Sequence, residues 1–558
     1  MMESQEIRKT NKKINTFFSG VMILTLSTVL VKIVGLLYKI PMLHCLGSVG
    51  MGYFNAAYEW YALISVLATA GLPIASSMMI AEERGREREA ASEYRVLQIE
   101  RICLKIFAII GAVGCAVLLL GAPWIARSIG SPMTAPALMA VAPTVLFSCL
   151  SASYRGYFQG FQNMLPTALS QLIEAVAKLV LGVSFALWAL RQGWQTPYVA
   201  AAAMLGLSIG VALSCLYLMI CRMKQGVNVK RAAKVVVRSL PHGSRQRELL
   251  RRLVLLAVPI TVSSSVFSLT KIVDMTLILR RLQHLGMGSE AANALYGIYT
   301  TVTVPIFNLI PALLTSVALP LIPTLSAQIE AKDVQGQGET VNTAMRLTAL
   351  LSIPASLALA LYSKPIISLL FGISGAELGT SASLLTALSV SVAFSGMITT
   401  TNAILQAYGQ AKLPIISMLI GSAIKLLSAA ILIGIPSVNI YGAPLSTLLC
   451  NSVIVGINLH MIAKHSSIAE SLHRVLLRPL LAAVPSVGLP ALLFALLSSY
   501  GWNERALFVA MVPVTLVMMA ALSLKSGILG AQELEGIANG KIYRLLQRRL
   551  RFLLPKKL

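Results

Sequence analysis

Apolar runs of about 20 residues or more recur between residues 16 and 525, separated by short polar or glycine- and proline-bearing segments. Runs of that length cross a bilayer as α-helices, whereas membrane barrel strands alternate polar and apolar positions over about ten residues. We count fourteen spans, starting near residues 16, 51, 103, 136, 165, 197, 252, 293, 343, 378, 411, 440, 479 and 504. The pattern predicts an all-α, polytopic membrane protein. Residues 1–15 are polar and basic, and the apolar run that follows is too long for a signal-peptide core, so it is read as a retained first helix.

Composition fits this class. Apolar residues make up 56% of the chain and charged residues 12%, against about 25% charged in ordinary globular domains. The seven cysteines (Cys45, Cys103, Cys115, Cys149, Cys215, Cys221 and Cys450) show no Cys-x-x-Cys pairing, so neither a disulfide framework nor a metal site is indicated. No cofactor is expected.

Charge sets the expected orientation. Of the 46 Lys and Arg residues, 34 fall in the N-terminus, the even-numbered loops and the C-terminal tail. Only Arg127, Arg191, Arg280, Arg281, Lys364 and Arg505 fall in odd-numbered loops. By the positive-inside rule, both termini are cytoplasmic. Trp124, Trp188, Trp194 and Trp502 lie at the predicted outer ends, where an interfacial aromatic belt belongs. The net charge of +25 is therefore an orientation signal, and nucleic acid is not an expected partner. The basic stretches 222–252 and 541–557 suit contact with anionic lipid headgroups, or serve as orientation determinants alone. Acids and bases alternate between residues 81 and 101, which suits a solvated helical tip.

The chain also repeats itself. Leu-x-Lys-Ile-Val occurs at 30–34 and again at 269–273, placing Lys32 and Lys271 in spans one and seven. Gln159 and Gln406, Lys178 and Lys425, and Pro73 and Pro320 are each separated by 247 positions. These matches keep their order and equate spans one to six with spans seven to twelve. They predict two parallel six-helix lobes, 1–240 and 241–465, followed by spans thirteen and fourteen with a basic tail, 466–558.

Charges inside the spans carry the candidate chemistry. Lys32, Lys39, Arg155, Lys178, Lys271 and Lys425 are set against Glu59, Glu174 and Asp274. A charge at mid-membrane costs several kcal/mol unless it faces a polar cavity or a partner. Glu174 and Lys178, four apart, share a helix face and can pair, so a structural ion pair stands beside a site role for them, and Lys271 and Asp274, three apart, can likewise neutralise each other. Lys39 and Arg155 lie near span ends, where either could snorkel to the interface, and for Arg155 this is expected over a site role. Lys32 has no acid in reach on its own helix, which makes it the best candidate for touching an anion. The surplus of positive charge favours an anionic ligand, with Asn55, Tyr58, Gln159, Asn402 and Gln406 nearby. For each of these, helix–helix hydrogen bonding is the ordinary alternative.

Certain phrases resemble a known family. Tyr154-Arg-Gly-Tyr-Phe-Gln-Gly-Phe-Gln-Asn-Met-Leu-Pro166, Gly50-Met-Gly-Tyr-Phe-Asn-Ala-Ala-Tyr58 and Gln406-Ala-Tyr-Gly-Gln-Ala-Lys412 resemble the lipid-linked oligosaccharide flippase branch of the MOP exporter superfamily, with stage V sporulation protein B-like and MurJ-like members. The resemblance implies a cavity that moves a polyprenyl-pyrophosphate-linked sugar outward, and cations that meet the pyrophosphate. Lys32 and Lys39 fall where that family carries a basic pair in its first span. Its Asp-Arg phrase at the start of span eight is absent here; the chain reads Leu295-Tyr-Gly-Ile-Tyr-Thr-Thr301, and Lys271 is the candidate replacement cation.

The expected function is thus a flippase for such a lipid, acting as a monomer by alternating access, with Lys32, Lys39, Lys271, Glu59, Asn55, Gln159 and Gln406 binding substrate. Asp274, Glu174, Lys178 and Lys425 set the cavity charge or couple an ion. The alternative is a cation-coupled multidrug exporter of the same superfamily, although cavities for cationic drugs should be acidic. An enzyme is disfavoured, because the outer loops are short and their acids are only Glu290, Glu377 and Glu504. Topology is testable with reporters. A fluorescent protein fused to the C-terminus should fluoresce, and alkaline phosphatase fused after Trp194 should be active; the opposite pattern would contradict the assignment.

Overall fold

The computed structural model describes residues 2–85, 90–224, 242–465 and 472–525. Among them there is no strand. The first helix, α1 (Met2–Thr69), would run about 100 Å at 1.5 Å per residue, three times the hydrocarbon core of a bilayer. Gly47 interrupts it with φ 65° and ψ −179°, a conformation only glycine adopts readily, and so divides spans one and two. Thirteen described segments are long and apolar enough to cross a membrane, and the first of them, Leu30–Glu83, contains both of these crossings. Fourteen transmembrane helices result, the number read from hydropathy.

The remaining helices follow in order: α2 (Leu72–Gly85), α3 (Ala90–Ser128), α4 (Ala135–Gly160), α5 (Leu165–Arg191), α6 (Thr196–Lys224), α7 (His242–His284) and α8 (Ser289–Ile298). A π-turn at Tyr299–Thr303 leads into α9 (Val304–Glu330). Then come α10 (Val334–Leu361), α11 (Ser363–Phe371), α12 (Gly375–Ala407), α13 (Lys412–Leu432), α14 (Gly442–His465), α15 (Leu472–Ser499) and α16 (Glu504–Lys525). Contacts group the chain into two compact units, Met1–Gly297 and Ile298–Leu558.

In lipid, helices gain little from burying apolar surface against each other, so close association depends on small residues and polar contacts. The first unit uses glycines four apart. Gly206 and Gly210 of α6 lie against the α5 backbone; a Cβ at Gly206 would stand 2.4 Å from the Gly182 nitrogen, and one at Gly210 3.1 Å from the Lys178 nitrogen. Gly156 and Gly160 of α4 face Pro73, Ser76 and Ile80 of α2 in the same way. Part of the family-like phrase at 154–166 is therefore a packing surface. At the start of α2, Gly71 donates its N–H to Thr261 Oγ1 of α7 at 3.2 Å.

Polar contacts hold the second unit. Thr400 of α12 meets Thr348 of α10 at 2.6 Å. Asn458 of α14 donates to Thr401 at 3.0 Å and to Asn402 at 2.8 Å. Asn402 thus serves helix–helix hydrogen bonding. Spans thirteen and fourteen join this unit through Tyr362, Val487, Leu507 and Met511, with Phe494 edge-on to the Tyr362 ring and Phe508 tilted against it.

The tip expected to be solvated within the charge-rich stretch 81–101 falls largely outside the described residues, which omit 86–89, and Glu82 at its edge is exposed. Glu83 and Glu100 are buried. Arg95 meets Glu83 at 3.2 Å, and Arg222 grips Glu100 through Nε and Nη2, both at 2.7 Å. The Arg222 guanidinium also lies 4.5 Å from the Tyr157 ring centre. Alternating charge reads as solvated only until tertiary partners arrive; here α6 supplies one. Most of the basic stretch 222–252 and the whole tail 541–557 lie outside the described residues.

The glycine seam between α5 and α6 gives a direct test. Gly206→Val should cost more than about 2 kcal/mol by forcing the helices apart, seen as a lower thermal midpoint in detergent. An unchanged midpoint would contradict the packing described.

Candidate functional site

Helix α1 carries Lys32 and Lys39 seven residues apart, and therefore on one face about 10 Å along the axis. Lys32 is exposed and Lys39 half-buried. Beside Lys39, Tyr38 is buried and its ring centre is 6.0 Å from that of Phe54. On the far side of the Gly47 break, Asn55 is buried while Tyr58 and Glu59 are half-buried. Tyr58 stacks obliquely on Tyr61 at 5.7 Å, and the Tyr61 hydroxyl meets Ser148 Oγ of α4 at 3.0 Å.

Helix α5 completes the group. Its face toward α1 presents Lys178 and, one turn on, Gly182, which leaves room for the Tyr38 hydroxyl; a Cβ there would lie 2.9 Å from that oxygen. The Tyr38 ring then falls beneath Lys178. The Lys178 ammonium is 4.8 Å from the Tyr38 ring centre and 4.7 Å from that of Tyr58. Such contacts stabilise a cation by about 0.5–1 kcal/mol when exposed and about 2 kcal/mol or more when desolvated, without neutralising it. Lys39 feels the charges of Lys178, Glu59 and Lys271. Lys178, Lys271 and Glu59 are thus charged neighbours of Lys39 within the first unit. Lys271 is exposed on α7, and Asp274, one turn later, is buried.

Two pairings differ from expectation. Glu174 pairs with Arg155 of α4, at 2.9 Å, and Lys178 takes the tyrosine rings. Nor does Arg155 snorkel outward. Its guanidinium also donates to Ser170 Oγ at 3.0 Å and Ser214 Oγ at 3.2 Å, tying α4 to α5 and α6. The five-donor fork of arginine reaches all three acceptors, which a same-helix lysine does not. Position near a span end made the arginine look interfacial, and nothing local showed that α6 supplies Ser214.

Gln159 is half-buried in the last turn of α4. Gln406, exposed in the last turn of α12, and Lys425, half-buried on α13, belong to the second unit. Tyr38 was missed as a site residue, although its neighbour Lys39 was not. Trp124, Trp188, Trp194 and Trp502 are all exposed, as side chains of an interfacial belt must be.

Residues 17–328 match the sequence profile of the polysaccharide biosynthesis protein family, more than half of the chain. The chain belongs to that family. This matched span contains every member of the charged group, from Lys32 to Asp274, while residues 259–431 match the MatE profile. Among its relatives, stage V sporulation protein B of Bacillus subtilis is 27% identical over 77% of this chain and 80% of its own length. Lipid II flippase MurJ of the same organism is 24% identical over 84% and 87%. A solved structure of lipid II flippase MurJ in an inward closed conformation shares the fold, with TM-score 0.68 over 90% of this chain and 98% of the other at 15% identity. An inward-facing multidrug resistance MATE family transporter gives TM-score 0.59 over 79% and 99%, also at 15% identity. This polysaccharide biosynthesis family member is therefore a multi-pass bacterial membrane protein.

The ring contacts of Lys178 predict an energetic coupling. In a double-mutant cycle of Tyr58→Leu and Lys178→Met, thermal unfolding in detergent should reveal about 0.5–2 kcal/mol of interaction. Additive effects would contradict the contact.

Proposed function

We propose that this protein is a flippase that carries a polyprenyl-pyrophosphate-linked sugar, lipid II or a related cell-wall or spore precursor, outward across the cytoplasmic membrane. One observation carries this reading: inside the bundle the Lys178 ammonium lies against two tyrosine rings, with Lys39 as a charged neighbour, while Glu174 is engaged by Arg155. A cluster of cations inside a membrane bundle is stabilised by an anionic ligand, and a pyrophosphate offers several acceptor oxygens to separate ammonium groups. Lys32, on the face of Lys39 but nearer the N-terminus, extends the positive surface toward the side from which the substrate enters. The relationship to stage V sporulation protein B and lipid II flippase MurJ supports the same substrate class. The sequence repeat supports two parallel lobes, 1–240 and 241–465, working by alternating access with both termini cytoplasmic.

A second reading is a cation-coupled multidrug exporter, which the MatE match and the MATE-like fold support. A pump for cationic drugs needs net negative charge where its cargo sits, and the group around Lys39 has the opposite sign.

Reconstituted vesicles separate the two. Lys39→Gln with Lys178→Gln should slow lipid II translocation about 10- to 100-fold, the loss of charge-assisted hydrogen bonds to the headgroup. Unchanged translocation in the double variant would refute the proposed site. Efflux of a cationic dye without any lipid translocation would favour the exporter.

A further inference from the structure

Glu174 and Lys178 are four residues apart on α5, the spacing at which an acid and a base on one helix pair with each other. Paired, they would cancel, and the site would lose one of its cations. In the structure a third residue takes up the carboxylate, while Glu174 remains a charged neighbour of Lys178. Arg155 Nη2 donates to Glu174 Oε2 at 2.9 Å and to Ser214 Oγ at 3.2 Å, and its Nε donates to Ser170 Oγ at 3.0 Å.

The two serines are set to accept. Ser170 Oγ donates its own proton to the Thr167 carbonyl at 2.7 Å, and Ser214 Oγ donates to the Ser170 carbonyl at 2.9 Å. With both hydroxyl protons committed to backbone oxygens, their lone pairs face the guanidinium. Ser170 and Ser214 are buried. The arginine is therefore held by groups that do not compete for its charge, and its strongest contact is left for the carboxylate. Lys178 turns to the rings of Tyr38 and Tyr58, which hold an ammonium while leaving its charge available.

We propose that Arg155 is a positioning residue: by holding Glu174 it keeps Lys178 uncancelled for the anionic headgroup. This assignment rests on the flippase reading above, and it gives Glu174 a role in charge placement. It also gives a reason for an arginine at this position, because a lysine lacks the planar fork that meets both serines and the carboxylate together.

The test compares lipid II binding and translocation in vesicles for five proteins: the parent, Arg155→Gln, Glu174→Gln, the double variant Arg155→Gln/Glu174→Gln, and Lys178→Gln. Arg155→Gln should weaken binding about tenfold or more, because the freed carboxylate pairs with Lys178. Adding Glu174→Gln should return binding to within about threefold of the parent, since no acid remains to cancel the lysine. Glu174→Gln alone should bind like the parent, and Lys178→Gln should bind as poorly as Arg155→Gln. A double variant as impaired as Arg155→Gln, or an Arg155→Gln protein that binds like the parent, would overturn the proposal. Should Arg155→Gln fail to fold, Arg155→Met/Glu174→Met replaces the ion pair by apolar side chains and is expected to fold and bind like the parent. Its loss of binding would also overturn the proposal. Parental binding by Lys178→Gln would instead remove Lys178 from the site, and the flippase geometry would fail before the role of Arg155 was reached.

Discussion

A positive charge placed inside a membrane bundle must be stabilised without being cancelled, and the arrangement around Lys178 meets that constraint. A carboxylate partner would stabilise the ammonium and neutralise it. Two tyrosine rings at 4.7–4.8 Å stabilise it and leave its field intact. The position of each nearby element follows from this. Tyr38 arrives on α1, Tyr58 arrives on the same helix after the Gly47 break, and Lys178 is held toward both by α5.

Helix packing supplies the necessary precision. Gly206 and Gly210 bring the α6 backbone against α5 over residues 177–182, fixing the face on which Lys178 and Gly182 stand. Gly182 in turn admits the Tyr38 hydroxyl. On the same face of α5, one and two turns before Lys178, Arg155 and Ser214 join Glu174 and Ser170 in one hydrogen-bonded knot. The packing glycines and the polar knot thus serve the electrostatics as well as stability. At the far end of this unit, the buried Arg222–Glu100 pair fastens α6 to α3.

Apolar run length was enough to read the class and the fourteen crossings, because a bilayer imposes one length on every span. Lys39, Glu59, Lys178 and Lys271 were legible for a related reason: charge is rare in such helices, so each instance stands out. Their pairing was less legible. Spacing reports neighbours on one helix, so it favoured Glu174 with Lys178, whereas Arg155 lies 19 residues away and reaches Glu174 only through packing. The ion pairs of Glu83 and Glu100 were hidden for the same reason, since their arginine partners come from positions 95 and 222. Tyr38 escaped notice because an aromatic residue in an apolar helix looks like any other until a cation is placed over it.

The central claim is that Lys39 and Lys178 meet the anionic part of the transported lipid. The most direct measurement is an experimental structure of the protein with bound lipid II that locates the two phosphorus atoms. The account predicts phosphate oxygens within hydrogen-bonding reach, about 3 Å, of the ammonium groups of Lys39 and Lys178. A headgroup held elsewhere, with no phosphate oxygen near either lysine, would contradict it.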